Sequence, residues 1–325
     1  MSAMSSLPAS LPNWRVALRR LLEELLHRQR PAAGGWSYCG KQVCTEPTSL
    51  ALLALVSAPP DHLLGSVGVE PLLAIRQPDG TWPSTAGGSI FSLWATALAV
   101  NAMVTLQISR VNLAPSLDAL VHSTPKEASW LVRLKFRYSD RQVRFDPQRY
   151  GWGWVPETVS WVVPTSMAII ALERARKRGL IGGRVLESRL QLGVEMLLDR
   201  ACPGGGWNAG NPVVYGVPLR PHVDATAITL AALRSHYQHP RVGVSLDWLL
   251  GQTRCRSSYS LAWLALALDV YTDVRADVPA ALNAAQEHLA ARIDDPGNVD
   301  DTSTIALAAL ALGLEAGNNP FALGG

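Results

Sequence analysis

The sequence predicts an all-α (α/α)6 toroid, a ring of six helical hairpins, and two observations predict it. First, an apolar, alanine-rich helix opening of ten residues recurs six times, with starts 33 to 69 residues apart, which is a spacing typical of helical-hairpin repeats with loop insertions. Second, an amphipathic stretch precedes each copy, as expected for an outer helix that covers an inner one. The six openings are EPTSLALLAL from Glu46, WATALAVNAM from Trp94, VPTSMAIIAL from Val163, DATAITLAAL from Asp224, SSYSLAWLAL from Ser257 and DTSTIALAAL from Asp301.

Length and composition fit one large helical domain. Of the 325 residues, 48% are hydrophobic and 17% are charged, so the chain can bury a sizeable core. The internal repeat indicates a single domain over 1–325, with a disordered N-terminus at 1–12 and an irregular insertion at 104–150 in the third hairpin. The formal net charge of +3 argues against nucleic acid as the main partner.

The sequence also bears on location. No apolar run approaches the ~18 residues that a membrane span requires. The first residues lack the basic start and apolar centre of a secretory signal. Four cysteines in a chain of 325 residues are too few for a disulfide scaffold. We therefore expect a cytoplasmic protein.

The first hairpin shows the pattern of all six. Residues 14–30 place Leu and Val at helical spacing with Arg and Glu opposite them, a glycine-rich turn follows, and the apolar helix begins near Glu46. The same reasoning places the outer helices of the later hairpins at roughly 60–76, 126–136, 184–200, 241–252 and 278–292.

Gly-Trp loops join the two helices in four of the hairpins. They are GGWSY at 34–38, DGTW at 79–82, GWGW at 151–154 and GGGWN at 204–208. Their tryptophans either wedge between neighbouring hairpins or line a cavity. Because all six inner helices begin at one mouth of a toroid, Trp94, Trp161 and Tyr259 are better candidates for lining that cavity, since they lie at inner-helix starts.

The loops, the repeated openings and the segment NVDDTS at 298–303 together resemble the prenyltransferase and squalene-cyclase superfamily of α/α toroids, over nearly the whole chain. The resemblance implies a protein that handles isoprenoids, of the class II terpene cyclase type, in which an acid protonates an alkene of a linear polyprenyl substrate. Aromatic faces would stabilise the carbocations that follow.

The three acids Glu46, Asp224 and Asp301 stand at the first position of their openings, where the alignment predicts helix N-caps. Asp300 is different, because the cap is already supplied by Asp301. The resemblance to the D-x-D-D-T-A segment of class II cyclases implies that Asp300 is the general acid. Asp301 would be its charge partner, and Asn298, in place of the first Asp, a hydrogen-bonding neighbour.

The same acids leave other interpretations open. Asp300 could belong to a solvated acidic loop, or to a Mg²⁺ site with Asp294 and Asp295. A zinc site of the protein prenyltransferase kind is not expected, because Thr226 stands where that family has a cysteine. We expect no cofactor otherwise. The predicted substrate-binding residues are Trp94, Trp161, His222, Asp224 and Tyr259.

The predicted partner is a small-molecule isoprenoid or lipid. A single toroid would need a homodimer or a second toroid to close its cavity, and the arginine-rich first helix could rest on a membrane surface. The basic segment 126–149 is interpreted as a solvated surface or a partner-facing one. The competing function is a non-catalytic toroid that binds a lipid, peptide or protein at the mouth.

Overall fold

The computed structural model describes residues 13–30, 34–60, 68–107, 112–139, 145–293, 299–315 and 317–323. Within them the chain forms thirteen α-helices and one two-stranded hairpin. The helices are α1 (Asn13–Arg28), α2 (Thr45–Val56), α3 (Glu70–Ile75), α4 (Leu93–Thr105), α5 (Ala114–His122), α6 (Trp130–Ser139), α7 (Val162–Lys177), α8 (Arg184–Asp199), α9 (Val223–Ala232), α10 (Pro240–Leu250), α11 (Ser258–Asp269), α12 (Val278–Ile293) and α13 (Thr302–Leu312). The strands are β1 (Val213–Val214) and β2 (Val217–Pro218).

The six apolar helices form a closed inner ring. In the order α2, α4, α7, α9, α11 and α13 each helix packs against the next, and α13 packs back against α2. In α4 and α13 nearly every residue is buried, because an inner helix has neighbours on every side. The predicted all-α toroid fold is confirmed.

Six outer helices cover the ring. The helices α1, α3, α5, α8, α10 and α12 each pack against the inner helix of their own or a neighbouring hairpin. One predicted boundary is wrong: the outer helix of the third hairpin is α5, not 126–136. Leu117 and Leu120 of α5 are buried, whereas Trp130 and Leu131 of α6 are exposed, so α6 is an additional amphipathic helix on the surface.

Each of the four Gly-Trp loops is fixed by the same hydrogen bonds. The tryptophan backbone N–H donates to a threonine hydroxyl of the inner helix at 2.9 to 3.0 Å. The indole N–H donates to a leucine carbonyl of the preceding outer helix at 2.6 to 2.8 Å. The pairs are Trp36 with Thr48 and Leu25, Trp82 with Thr96 and Leu72, Trp152 with Thr165 and Leu120, and Trp207 with Thr226 and Leu197. All four indoles are fully buried, so these tryptophans wedge between helices and do not line a cavity.

The segment 319–323 crosses the ring at the carboxyl ends of the inner helices. The Asn101 amide of α4 donates to the Pro320 carbonyl at 2.9 Å, and the Asn319 amide donates to the Leu266 carbonyl of α11 at 2.9 Å. The buried ring of Phe321 packs on Trp263 with centroids 4.7 Å apart. Because α4 and α11 stand opposite each other in the ring, the segment lies across its axis and fills that end.

Candidate functional site

The amino ends of the inner helices surround the other end of the ring, which we call the mouth. The N-cap residues are Cys44, Ser92, Trp161, His222, Ser257 and Asp301. Of the three acids predicted as N-caps, Asp301 is one, and the prediction is wrong for Glu46 and Asp224, which lie two residues inside their helices.

The Gly-Trp loops explain this shift. The Cys44 N–H donates to the Trp36 carbonyl at 2.8 Å, and the His222 N–H donates to the Trp207 carbonyl at 2.8 Å. Because of these bonds, the N-cap of each helix lies two residues before the acid. The sixth loop lacks the tryptophan, so α13 begins later and Asp301 remains outside it as the cap. Matching acid with acid in the sequence therefore misaligned the sixth repeat with the first and fourth.

In each inner helix, the residue two positions after the N-cap faces the mouth. Two residues after the cap stand Glu46, Trp94, Val163, Asp224, Tyr259 and Ser303. The indole of Trp94 donates to the Glu46 carboxyl at 2.8 Å. Burial and the charges of Glu46, Asp224 and Asp301 raise the pKa of Tyr259, so side chains from four inner helices lie close enough to interact.

Glu46 is a partly buried acid of this group. Its Oε2 accepts from the Tyr38 hydroxyl at 2.9 Å and from the Trp94 indole at 2.8 Å. Burial raises the pKa of Glu46, the two donors oppose the rise, and the charge of Asp301 adds to it. Desolvation penalises the charged form of a carboxyl more than two hydrogen bonds recover.

Aromatic rings surround this carboxyl. Trp94 is 5% exposed, and its ring lies 5.7 Å from that of Trp154, at an interplanar angle of 56°. The partly exposed Tyr38 is tied to the start of α13, because its carbonyl accepts from the Thr302 N–H at 2.9 Å. Such faces can stabilise a cation held above them.

The predicted catalytic segment lies at the rim of the mouth. Asp301 caps α13, accepting from the Thr304 N–H at 3.0 Å and from the Thr304 hydroxyl. Asp300 is exposed, and its carbonyl accepts from Arg28 of α1 at 2.7 Å. Asn298 lies outside the described residues, as do Asp294 and Asp295 of the predicted Mg²⁺ site. No group of three metal-ligating side chains occurs among the residues that the structure describes.

The other predicted substrate residues divide between two places. Trp94, Asp224 and Tyr259 lie together at the mouth. Trp161, partly buried as the cap of α7, lines a side cavity of about 200 Å³ together with Glu127 and Arg200. His222 is an exposed N-cap of α9. Within the described residues, no helix is long and apolar enough to cross a membrane.

Sequence reasoning did not select Glu46 or Ser303 as site residues. The signal for Ser303 is the missing tryptophan in the fifth and sixth loops. In the other four hairpins, a threonine four residues after the N-cap hydrogen-bonds to the tryptophan. In the fifth and sixth hairpins that position is occupied by Leu261 and Ile305. That difference sets the register in which Ser303 matches Glu46 and Trp94.

Comparison with solved structures finds proteins of similar fold. No protein-family model and no curated sequence matches the chain. A variant of the type II terpene cyclase MstE from Scytonema, in complex with its substrate geranylgeranyl dihydroxybenzoate, has a TM-score of 0.62 at 16% identity, covering 93% of this chain and 97% of that chain. Protein geranylgeranyltransferase-I from Candida albicans, complexed with GGPP, has a TM-score of 0.50 at 11% identity, covering 94% and 91%.

The chain has the α/α toroid fold of terpene cyclases and prenyltransferases. Cellobiose 2-epimerase from Spirochaeta thermophila also matches, with a TM-score of 0.51 at 12% identity over 90% of this chain and 89% of that one. Because the same fold serves a sugar epimerase, chemistry has to be argued from the mouth and not from the ring.

Proposed function

We propose that the protein cyclises a linear polyprenyl chain by protonating one of its alkenes at the mouth of the toroid. The observation that supports this is the convergence of carboxyls and aromatic rings there, with Glu46 bonded to the Trp94 indole and Tyr259 in the field of three acids. The reaction needs these two kinds of group: an acid shielded from water starts it, and aromatic faces stabilise the cations.

The residue roles follow the resemblance in the sequence. Asp300 is the predicted acid, with Asp301 as its charge partner and Asn298 beside it, and Trp94, Trp161, His222, Asp224 and Tyr259 bind substrate. The cyclase MstE binds a geranylgeranyl substrate, and this chain covers 97% of its chain. A single ring of this length is therefore a reasonable size for such a substrate.

The test is incubation of the purified protein in D₂O with geranylgeraniol, geranylgeranyl diphosphate and squalene, followed by mass spectrometry of the products. We expect a cyclic isomer of one probe that carries one deuterium, because the first step adds a solvent-derived proton to carbon. Binding of a probe without any product would overturn the cyclase and favour the non-catalytic toroid.

A further inference from the structure

We infer that Glu46 is the acid that protonates the substrate alkene, in place of the exposed Asp300. The inference rests on the proposed function and assigns the proton donor within that same site. Three features of the described residues carry it: the enclosure of the carboxyl, the way its two oxygens differ, and the aromatic surface next to it.

Enclosure is the first feature. An acid strong enough to protonate an alkene must keep its proton at rest and must face little water, which would otherwise take the proton. Glu46 is partly buried in the first turn of α2, behind Tyr38 and Trp94. Asp300, by contrast, is exposed before the first turn of α13. Of these two acids, only Glu46 is partly shielded from water.

The two oxygens of Glu46 differ, which is the second feature. An indole N–H can only donate, and both the indole of Trp94 and the hydroxyl of Tyr38 point at Oε2. In the neutral acid Oε2 is therefore the carbonyl oxygen, and the proton resides on Oε1. When that proton leaves, the same two donors stabilise the carboxylate that forms, which is the state in which charge-assisted hydrogen bonds are strongest.

The step balances without a co-reactant. The Oε1–H bond of Glu46 breaks and leaves its electron pair on oxygen. The π electrons of the terminal alkene form a new C–H bond, and positive charge appears on the more substituted carbon beside the rings of Trp94 and Trp154. Loss of a proton from the final cation to solvent neutralises the product, and solvent returns a proton to Glu46.

Hydroxyls of Ser303 and Tyr38 lie beside Glu46 where α2 meets α13, and we expect them to return that proton. The Ser303 hydroxyl lies close enough to Glu46 to lower the pKa of that carboxyl. It is buried, and it has no partner with hydrogen-bond geometry among the described residues. Tyr38, which donates to Oε2 and is 38% exposed, reaches solvent.

The test compares Glu46→Gln, which keeps the shape but removes the proton, with Asp300→Asn and with Glu157→Gln, an exposed acid of a neighbouring loop. We expect Glu46→Gln to lower kcat about a thousandfold, the usual contribution of a general acid. Glu157→Gln should keep the wild-type rate, and Asp300→Asn should lower kcat far less than Glu46→Gln does. Thermal unfolding of each variant checks that the ring is intact.

The outcomes separate the two proposals. No product from the wild-type protein overturns the proposed function. If wild type and Glu46→Gln give deuterated product at equal rates, the assignment of Glu46 is overturned and the proposed function stands. If Asp300→Asn loses the product and Glu46→Gln keeps it, Asp300 is the acid.

A second variant covers the case in which Glu46→Gln fails to fold. Burial raises the pKa of Glu46 and the Tyr38 hydroxyl lowers it. The acid is active while protonated, so kcat falls as the pH rises through this pKa. Tyr38→Phe should lower kcat about tenfold and move that fall to higher pH. A pH profile that does not move in Tyr38→Phe overturns the assignment.

Discussion

A single threonine hydroxyl holds each Gly-Trp loop against its inner helix. In the fourth hairpin the Thr226 hydroxyl accepts from the Trp207 N–H at 2.9 Å and donates to the Trp207 carbonyl at 3.2 Å. Both groups are buried, and without this hydroxyl the Trp207 N–H would lose its hydrogen bond with no water to replace it. The repeat therefore depends at four places on a threonine side chain of three heavy atoms, which holds the tryptophan whose carbonyl accepts from the N-cap N–H.

We predict that Thr226→Val lowers the free energy of unfolding by about 1–3 kcal/mol, the cost of leaving a buried polar group unpaired. The two side chains have almost the same shape, so little packing is lost. Urea denaturation measures the change. Thr272→Val is the matched control, because the exposed Thr272 hydroxyl donates to the Asp269 carbonyl at 3.0 Å in contact with solvent. An equal effect of the two substitutions would contradict the role given to Thr226.

Among the helices, α5 and α6 have opposite relations to the ring. Leu120 of α5 is fully buried, and its carbonyl accepts from the Trp152 indole at 2.7 Å. In α6, Trp130 is 66% exposed and Leu131 is 59% exposed. The element that stabilises the third hairpin is therefore the shorter helix, although both carry an amphipathic sequence.

We predict that Leu120→Ala costs about 2–5 kcal/mol of unfolding free energy, the range for a buried leucine. Leu131→Ala should change it by less than about 0.5 kcal/mol, as an exposed substitution does. Chemical denaturation of the two variants side by side measures the difference. Comparable losses would show that α6 packs on the ring after all.

The sequence was sufficient for the ring and insufficient for the third hairpin and the mouth. The apolar openings identify inner helices because only a helix with neighbours on every side lacks a polar face. Outer helices are weaker signals, and α6 is as amphipathic as α5, so the pattern could not tell which one covers the core. At the mouth, the hydrogen bonds of the Trp36 and Trp207 loops set helix starts that an alignment of acids does not reveal.

At the scale of the whole molecule, the two ends of the ring are unlike. The segment 319–323 fills the carboxyl end, with Phe321 fully buried between opposite inner helices. Polar side chains fix it: the Arg174 guanidinium donates to the Ala322 carbonyl at 2.9 Å, and burial lowers the pKa of Arg174 to about 10. The mouth at the amino end instead collects carboxyls and aromatic rings.

We predict that Phe321→Ala lowers the free energy of unfolding by about 3–5 kcal/mol, because a buried aromatic side chain is removed and a cavity is left. Its effect should spread through the ring, since the segment touches helices on both sides of the axis. Hydrogen exchange of α4 and α11 measures that spread. Leu180→Ala, at a site 49% exposed, is the control, and faster exchange in one helix only would contradict a shared contact.

The position of this segment in the chain has a consequence for synthesis. The helix that closes the ring, α13, and the residues that fill its far end all lie within 302–323, after the other five hairpins. During synthesis on the ribosome, the ring of those hairpins is therefore open between α11 and α2. Until α13 is made, the side of α2 that packs against it is uncovered. A chaperone that shields this side of α2 would act on the nascent chain until the last hairpin emerges.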